Sequence, residues 1–320
     1  MYQYIVFHLT NNIKKILFIF TFMFFSVIGF NLSKCIYNIY NPVVIAFSVD
    51  NNYALFIPVT IKSIEKHSNP NRLYKIFVLG NKISDKNAQN ILKLQSKNIK
   101  IKIININDYV VKEKIDTFRT LMHINTATYY RFFIPEVLKD YKKALYLEAD
   151  QILLDDVAHL FDTNLNNQSL GVIPQPQYQG TQSQSWQHYC RHTLKMTNHE
   201  VYFNAGVLVM NLEKLRKNHF RKKALELAQT KNFTYLDQDI LNFMFSNDCT
   251  VISHAWNVEI FILHQKPKYT TPKLIHFTAY YKPWNTSKPN QNSFPYSDLF
   301  WEYARQTDSY NDILNLATKK

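Results

Sequence analysis

Glycine is nearly missing. Only Gly29, Gly80, Gly171, Gly180 and Gly206 occur in 320 residues, about a quarter of what an ordinary usage near 7% supplies. No two stand close enough to build a phosphate-cradling loop, which excludes both the G-x-G-x-x-G dinucleotide fingerprint and the P-loop. A phosphate held by this chain must be held another way. Three widely separated cysteines, Cys35, Cys190 and Cys249, exclude a disulfide scaffold and a cysteine-based zinc site. Residues 1–40 contain no acidic side chain, and no alanine precedes Ala46.

That last pair of absences frames the run ILFIFTFMFFSVIGF from Ile16 to Phe30, preceded by Lys14 and Lys15. The segment is membrane-directed on composition. Fifteen apolar-rich residues fall short of the roughly 20 that cross a bilayer, unless Asn31 to Tyr37 completes the span with Lys34 snorkelling. A cleaved signal needs small residues at its end, so an uncleaved anchor over residues 1–40 is the expectation. Its orientation stays open, because Lys34 and the basic body blunt the charge asymmetry.

The chain as a whole is 46% hydrophobic and 15% aromatic, ample for a packed core. The net charge is +13, which points to nucleic acid, an anionic membrane or a phosphorylated substrate without choosing among them. From residue 43 the pattern predicts strand Val43–Val49, helix Tyr53–His67, strand Ile76–Leu79, helix Ser84–Gln95 and strand Ile101–Ile106. That β-α-β-α-β order implies a parallel sheet flanked by helices. A helix around Ala127–Phe133 and a strand Ala144–Leu147 follow, then strands Leu170–Ile173 and Val207–Met210 and helices Leu212–Gln229 and Asp237–Phe245. Residues 175–200 show no clear periodicity and read as a long binding loop or lid. One α/β domain over 41–320 is the expectation.

Ligands in such sheets bind at the carboxyl ends of strands. The first strand runs into Ser48-Val49-Asp50-Asn51-Asn52-Tyr53, a turn able to bond and stack on a nucleobase or simply to cap a helix. The fourth ends in Glu148-Ala149-Asp150. Two carboxylates so close repel each other unless a cation is shared, and the alternative is a solvated loop with two unrelated acids. His276 and Lys282, in LIHFTAYYKPW, add an imidazole ligand and a point charge for phosphate. His188, Cys190 and His192 lack the spacing and the fourth ligand of a metal site.

The segments VIAFSVDNNYALFIPVTIKSI, KALYLEADQILL, VYFNAGVLVMNLEKL, TYLDQDILN and LIHFTAYYKPW stand in the order and spacing of glycosyltransferase family 8, and residues 43–285 resemble it, most of all its bacterial lipopolysaccharide branch. The resemblance implies a GT-A fold, here an α/β Rossmann-like mixed central sheet with flanking helices preceded by an N-terminal apolar helix. It implies retaining transfer of galactose or glucose from a UDP-sugar to an oligosaccharide or glycolipid acceptor. Glu148, Asp150 and His276 then correspond to the ligands of Mn²⁺, or Mg²⁺. Lys282 stands at the diphosphate, Ser48, Asp50, Asn52 and Tyr53 around uracil and ribose, and His123 and Arg131 near the diphosphate and donor sugar. Asn204, Asp237 and Gln238 line the transferred sugar near its anomeric carbon, with Asp239 in a nucleophilic or positioning role.

Two positions depart from the family pattern. Glu148 replaces the first Asp of D-x-D, and Ala279 replaces the glycine of H-x-x-G-x-x-K-P-W, where positive φ or close approach to the diphosphate is at issue. They suggest the alternative of a weak or silent family member. The +13 charge suggests a nucleic-acid-binding protein, yet residues 62–114, with twelve basic and four acidic side chains, read as an ordinary solvated face, so no nucleic-acid partner is expected. Membrane contact through the anchor and the basic surface is expected. The domain would face the cytoplasm at the inner membrane in a bacterium, and the lumen behind a type II anchor in a eukaryote. Acceptor choice falls to the 175–200 stretch, with Tyr178, Trp186 and His188.

Overall fold

The apolar run Val43–Val49 shows no alternation, and the strand it forms is buried on both faces, as a central parallel strand must be. The structure, a computed structural model, describes residues 41–121, 125–175, 183–260, 263, 271–285 and 294–318. The strands among these are β1 Val43–Val49, β2 Tyr74–Gly80, β3 Ile99–Asn105, β4 Lys143–Leu147, β5 Gln151–Leu153, β6 Leu170–Pro174, β7 Phe203–Asn211, β8 Cys249–Val251, β9 Val258–Glu259 and β10 Leu274–His276. Seven form one sheet in the order β3-β2-β1-β4-β7-β6-β8, and β5-β10-β9 form a second.

Strands β3, β2, β1 and β4 are mutually parallel, whereas β7 runs antiparallel to both β4 and β6. The sheet is therefore mixed, with β7 alone reversed and β6 and β8 running again in the direction of β4. On edge strand β3, Lys100 and Lys102 are exposed between buried or half-buried isoleucines. Charged residues on an open edge oppose pairing with another chain, so part of the basic excess has a structural use.

The helices depart from expectation where backbone chemistry overrides periodicity. The stretch 53–67 is two helices, Asn51–Ala54 and Ile57–His67, because Pro58 lacks an N–H and is tolerated only in a first turn. Ser84 caps Asp85–Leu92, accepting from Asn87 N. Thr126–Phe133 is a 3₁₀ helix, followed by helix Ile134–Val137. Leu212–Gln229 breaks into Leu212–Lys217 and Phe220–Thr230 at His219, whose φ is +55°. The expected loop 175–200 is largely helical where described, with Gln184–His188 capped by Ser183 and continuing as a π-turn to Thr193. Trp186, Tyr189, Cys190 and Leu194 carry its inward face at helical spacing, a signal hidden by the polar residues between them.

Residues 1–40, and with them the expected apolar helix, lie outside the described residues, as do His123 and Tyr178. Among the described residues no helix is long and apolar enough to cross a membrane.

Candidate active site

Register brings the acids and the histidine together. β4 ends at Leu147, Glu148-Ala149-Asp150 bridges the two sheets, and β5 begins at Gln151, which pairs with His276 of β10. Backbone bonds fix the bridge at both ends: Glu148 N donates to Gly206 O at 3.1 Å, and Phe277 N to Asp150 O at 3.0 Å. Helix Ile57–His67 holds it from below, Thr60 Oγ1 donating to Ala149 O and Gln151 O at 2.9 Å each. As a result His276 Nε2 lies 3.1 Å from Glu148 Oε2 and 3.2 Å from Asp150 Oδ1.

Charge in this corner is paired with care. Lys282 donates to Asp150 Oδ2, and Arg131 Nη2 to Glu148 Oε1 at 2.7 Å. The Arg131 Nε group stands 3.1 Å from Asp237 Oδ2, and its guanidinium lies 4.6 Å from the centre of the Tyr146 ring. Burial alone would raise both carboxyls. Lys282 and His276 instead hold Asp150 far below the usual carboxylate range, and Arg131 with His276 lowers Glu148. Burial opposes charge on His276, but Asp150 and Glu148 outweigh it and push the imidazole up to about 9. At Asp237 burial prevails and the carboxyl sits above its ordinary value despite Arg131.

Two observations fit this corner to a divalent cation. Asp150 Oδ1 is buried with no well-aligned hydrogen bond among the described residues, its one polar neighbour being His276 Nε2 at 3.2 Å, although an oxygen so placed ordinarily finds a good partner. Gly206 leaves a cradle that a side chain would fill, since a Cβ there would sit 2.6 Å from Glu148 Oε2 and against His276 Cε1. Glu148, Asp150 and His276 are also the one group of three such ligands that converges among the described residues, their donor atoms within 4.8 Å of one another. Two carboxylates and an imidazole suit a divalent cation in kind.

The three face a cavity of about 210 Å³ that is also lined by Ser48, Asp50, Tyr53, Arg131, Asn204, Asp237, Gln238 and Lys282. Asp50 serves two ends, capping helix Asn51–Ala54 through Tyr53 N at 2.8 Å and accepting from Asn125 Nδ2 at 2.6 Å. Asn52 is exposed and faces an adjoining groove with Tyr53, Phe56 and Trp284. Asp239 lies outside the cavity and is fully buried, its oxygens taken by Tyr202 Oη at 2.8 Å, Tyr189 Oη at 2.6 Å and Tyr235 N at 2.7 Å. His188 and His192 are exposed while Cys190 is buried, so these three do not converge on a common ligand position.

Ala279 takes the positive φ that its side chain disfavours, at +52°. The turn thus keeps the shape a glycine would give it. Phe56 stacks on Trp284 with ring centres 3.7 Å apart, which anchors the Lys-Pro-Trp turn that carries Lys282. Polar residues of the cavity wall missed in the sequence include Asn125, Thr128, Tyr146, Tyr235 and Thr278; Asn257, behind the wall, was also missed, its Oδ1 lying 2.9 Å from His276 Nδ1. Thr128 and Asn125 sit in the segment flagged for Arg131; nothing in the sequence singles out Asn257.

Comparison with known proteins gives a consistent result. The family described as Glycosyl transferase family 8 matches residues 44–288. Glycosyltransferase GlyF of Streptococcus pneumoniae serotype 4 is 29% identical over 282 residues, 83% of this chain and 64% of that protein. Lipopolysaccharide 1,2-glucosyltransferase of Escherichia coli (strain K12) is 25% identical, over 82% of this chain and 76% of its own. Among solved structures, galactosyltransferase LgtC in complex with donor and acceptor sugar analogs superposes with a TM-score of 0.69 at 27% identity, covering 85% of this chain and all of that one. The WbbM bifunctional glycosyltransferase superposes at 0.72, 26% identical, and there the chain spans only 51% of its relative.

Proposed function

Because the chain belongs to glycosyltransferase family 8, we propose that it transfers a hexose, galactose or glucose, from a UDP-sugar to a glycan acceptor with retention at the anomeric carbon. The observation that carries this reading is the convergence of Glu148, Asp150 and His276 on the wall of the cavity that Asn204 and Gln238 also line. These three would hold the divalent ion. When bound, it supplies Lewis-acid stabilisation of the leaving diphosphate.

The chain's own residues account for the rest. Arg131 and Lys282 pair with Glu148, Asp150 and Asp237, so the chain's own cations offset part of the negative charge of the carboxylates gathered in the cavity. Lys282 lines the cavity and is buried, placed to add positive charge where the diphosphate leaves. Asn204 and Gln238 present amides to the sugar, and Asp50 and Tyr53 form the wall assigned to uracil and ribose. With both oxygens of Asp239 bonded to tyrosines and backbone, the positioning role fits it better than the nucleophilic one. The acceptor is read as a lipopolysaccharide or related glycan, after the relatives, and residues 1–40 as an anchor that carries the domain at a membrane.

The test is metal-dependent transfer or hydrolysis with UDP-[¹⁴C]galactose and UDP-[¹⁴C]glucose. Asp150→Ala should lose at least about a hundredfold, the order seen when one charge-stabilising group is removed from an active site. Equal activity in variant and wild type rejects the metal assignment, and no turnover with any UDP-hexose rejects the donor.

A further inference from the structure

Asn257 belongs to no segment that marks the family in the sequence, and it is 4% exposed at the end of the short 3₁₀ turn His254–Trp256, immediately before β9. Its amide lies between two polar groups of the site. On one side His276 Nδ1 is 2.9 Å from Asn257 Oδ1, and on the other Asn257 Nδ2 donates to Asn204 Oδ1 at 3.1 Å. Asn204 Nδ2 in turn donates to Gln238 Oε1 at 3.0 Å, Gln238 Nε2 to Tyr202 Oη at 2.9 Å, and Tyr202 Oη to Asp239 Oδ1 at 2.8 Å. Five hydrogen bonds thus run head to tail from the metal-facing histidine, past the two sugar-facing amides, to a buried carboxylate.

The direction of this chain is not a free choice, because groups that can only donate are set along it. Gly206 N donates to Asn204 Oδ1 at 2.9 Å, and Ala205 N to Gln238 Oε1 at 3.2 Å. A backbone N–H cannot accept. Asn204 must therefore offer its oxygen toward Asn257, Asn257 must answer with its NH₂, and its remaining Oδ1 is left for His276. That oxygen can only accept, so His276 keeps its proton on Nδ1, and Nε2 is the nitrogen released toward Glu148 and Asp150. The ring nitrogen that a histidine offers as a ligand is set by the bond its other nitrogen makes.

We propose that Asn257 is the positioning residue that joins the two halves of the site: its oxygen fixes the ring and tautomer of His276, and its amide N–H fixes the Asn204–Gln238 pair against the transferred sugar. The proposal deepens the glycosyltransferase reading and rests on it for the identity of the ligands. The geometry itself stands on the hydrogen bonds alone.

The experiment uses the full chain with Asn257→Ala and Asn257→Asp. Mn²⁺ affinity is read by electron paramagnetic resonance of the free ion, with no nucleotide and no turnover. Affinities for UDP and for UDP-hexose are then compared. Asn257→Ala removes both bonds and should weaken Mn²⁺ at least tenfold, the lower end for loss of a partner behind a metal ligand, and should weaken UDP-hexose more than UDP. Asn257→Asp keeps an acceptor for His276 but has no N–H for Asn204. Its Mn²⁺ affinity should stay within threefold of wild type or tighten, while its preference for UDP-hexose over UDP falls. In ¹⁵N-histidine-labelled, metal-free protein, the Nδ1–H signal that disappears in His276→Gln should exchange at least tenfold faster in Asn257→Ala than in wild type or Asn257→Asp.

A folded Asn257→Ala protein with wild-type Mn²⁺ affinity and wild-type exchange overturns the proposal. So does an Asn257→Asp protein that retains the full preference for UDP-hexose. If Asn257→Ala fails to fold, the aspartate variant decides. Wild-type protein that takes up neither Mn²⁺ nor UDP-hexose overturns the glycosyltransferase reading instead, and the exchange measurement then judges Asn257 by itself.

Discussion

Ala279 sits at φ +52° on the wall of the candidate site, where a Cβ meets the backbone at a cost of roughly 1–2 kcal/mol relative to glycine. Glycine brings its own penalty, the extra freedom of the unfolded chain, of about 0.5–1 kcal/mol. The strain is the larger of the two, so Ala279→Gly should stabilise the protein slightly and raise its melting temperature by about 1–3 °C at the usual ~2–4 °C per kcal/mol. It should also lower the KM for the donor if the turn approaches the diphosphate. Calorimetry and initial rates check both, and a lower melting temperature would show that the left-handed turn is unstrained. The substitution was visible in the sequence as a departure from H-x-x-G-x-x-K-P-W; that the backbone keeps the glycine conformation anyway was not, because it belongs to a turn closed by a backbone bond, Tyr281 N to Thr278 O at 3.2 Å, which the sequence pattern does not show. Glu148, Asp150, His276 and Lys282 were legible because each sits in a short ordered motif. Asn257 was not, since its role comes from β9 lying beside β10, a pairing of two residues that leaves no periodic trace.

Among the elements, helix Ile57–His67 does most to place the acids, and it does so with residues that a periodicity reading assigns to the wrong face. Thr60 and Ser63 are polar yet wholly buried. Thr60 Oγ1 spans the carbonyls of Ala149 and Gln151, and Ser63 Oγ accepts from Leu153 N at 2.9 Å while donating to Thr60 O at 2.7 Å. Both hydroxyls serve the short strand β5 and the Glu148–Asp150 bridge, whose polar backbone would otherwise be buried unpaired. Hydrophobic patterning finds helices by their apolar stripe and is silent about such hydroxyls, and strands of two or three residues are too short to show a period, which is why β5 and β9 escaped the sequence while β1 to β4, β6 and β7 did not. Thr60→Val preserves volume and removes the hydroxyl, leaving two buried carbonyls without it at a cost of about 1–3 kcal/mol. The expected outcome is a lower denaturation midpoint together with weaker divalent-ion binding, measured by urea titration and Mn²⁺ titration of the same samples. Loss of stability with unchanged ion affinity would mean that the bridge is held by its strand pairing instead.

At the scale of the molecule, the question raised by the +13 charge is whether surface charge or burial holds the structure around the site. The C-terminal helices Ser297–Ala304 and Tyr310–Thr318 give a direct comparison. They and the turn between them meet the body through two ion pairs, Lys86–Asp312 from the second helix and Lys93–Asp308 from the turn, with both lysines about two-thirds exposed. They also meet it through Phe300 and Trp301, which are almost wholly buried. Exposed pairs contribute about 0–1 kcal/mol and are screened by salt, whereas truncating a buried tryptophan costs about 3–5 kcal/mol. Burial should therefore decide, and its effect should reach the site, because the Phe300 ring lies 5.2 Å from Trp284, which stacks on Phe56 and carries the turn bearing Lys282. Lys86→Ala/Lys93→Ala should melt within about 2–4 °C of wild type, the shift that ~1 kcal/mol produces in a domain of this size, and transfer sugar at the wild-type rate. Trp301→Ala should melt well below it and lose donor affinity as the Lys-Pro-Trp turn loosens. A double lysine variant less stable than Trp301→Ala would mean that the basic surface is part of the scaffold; the reverse order means that burial of the C-terminal helices, not their exposed ion pairs, holds the structure around the site.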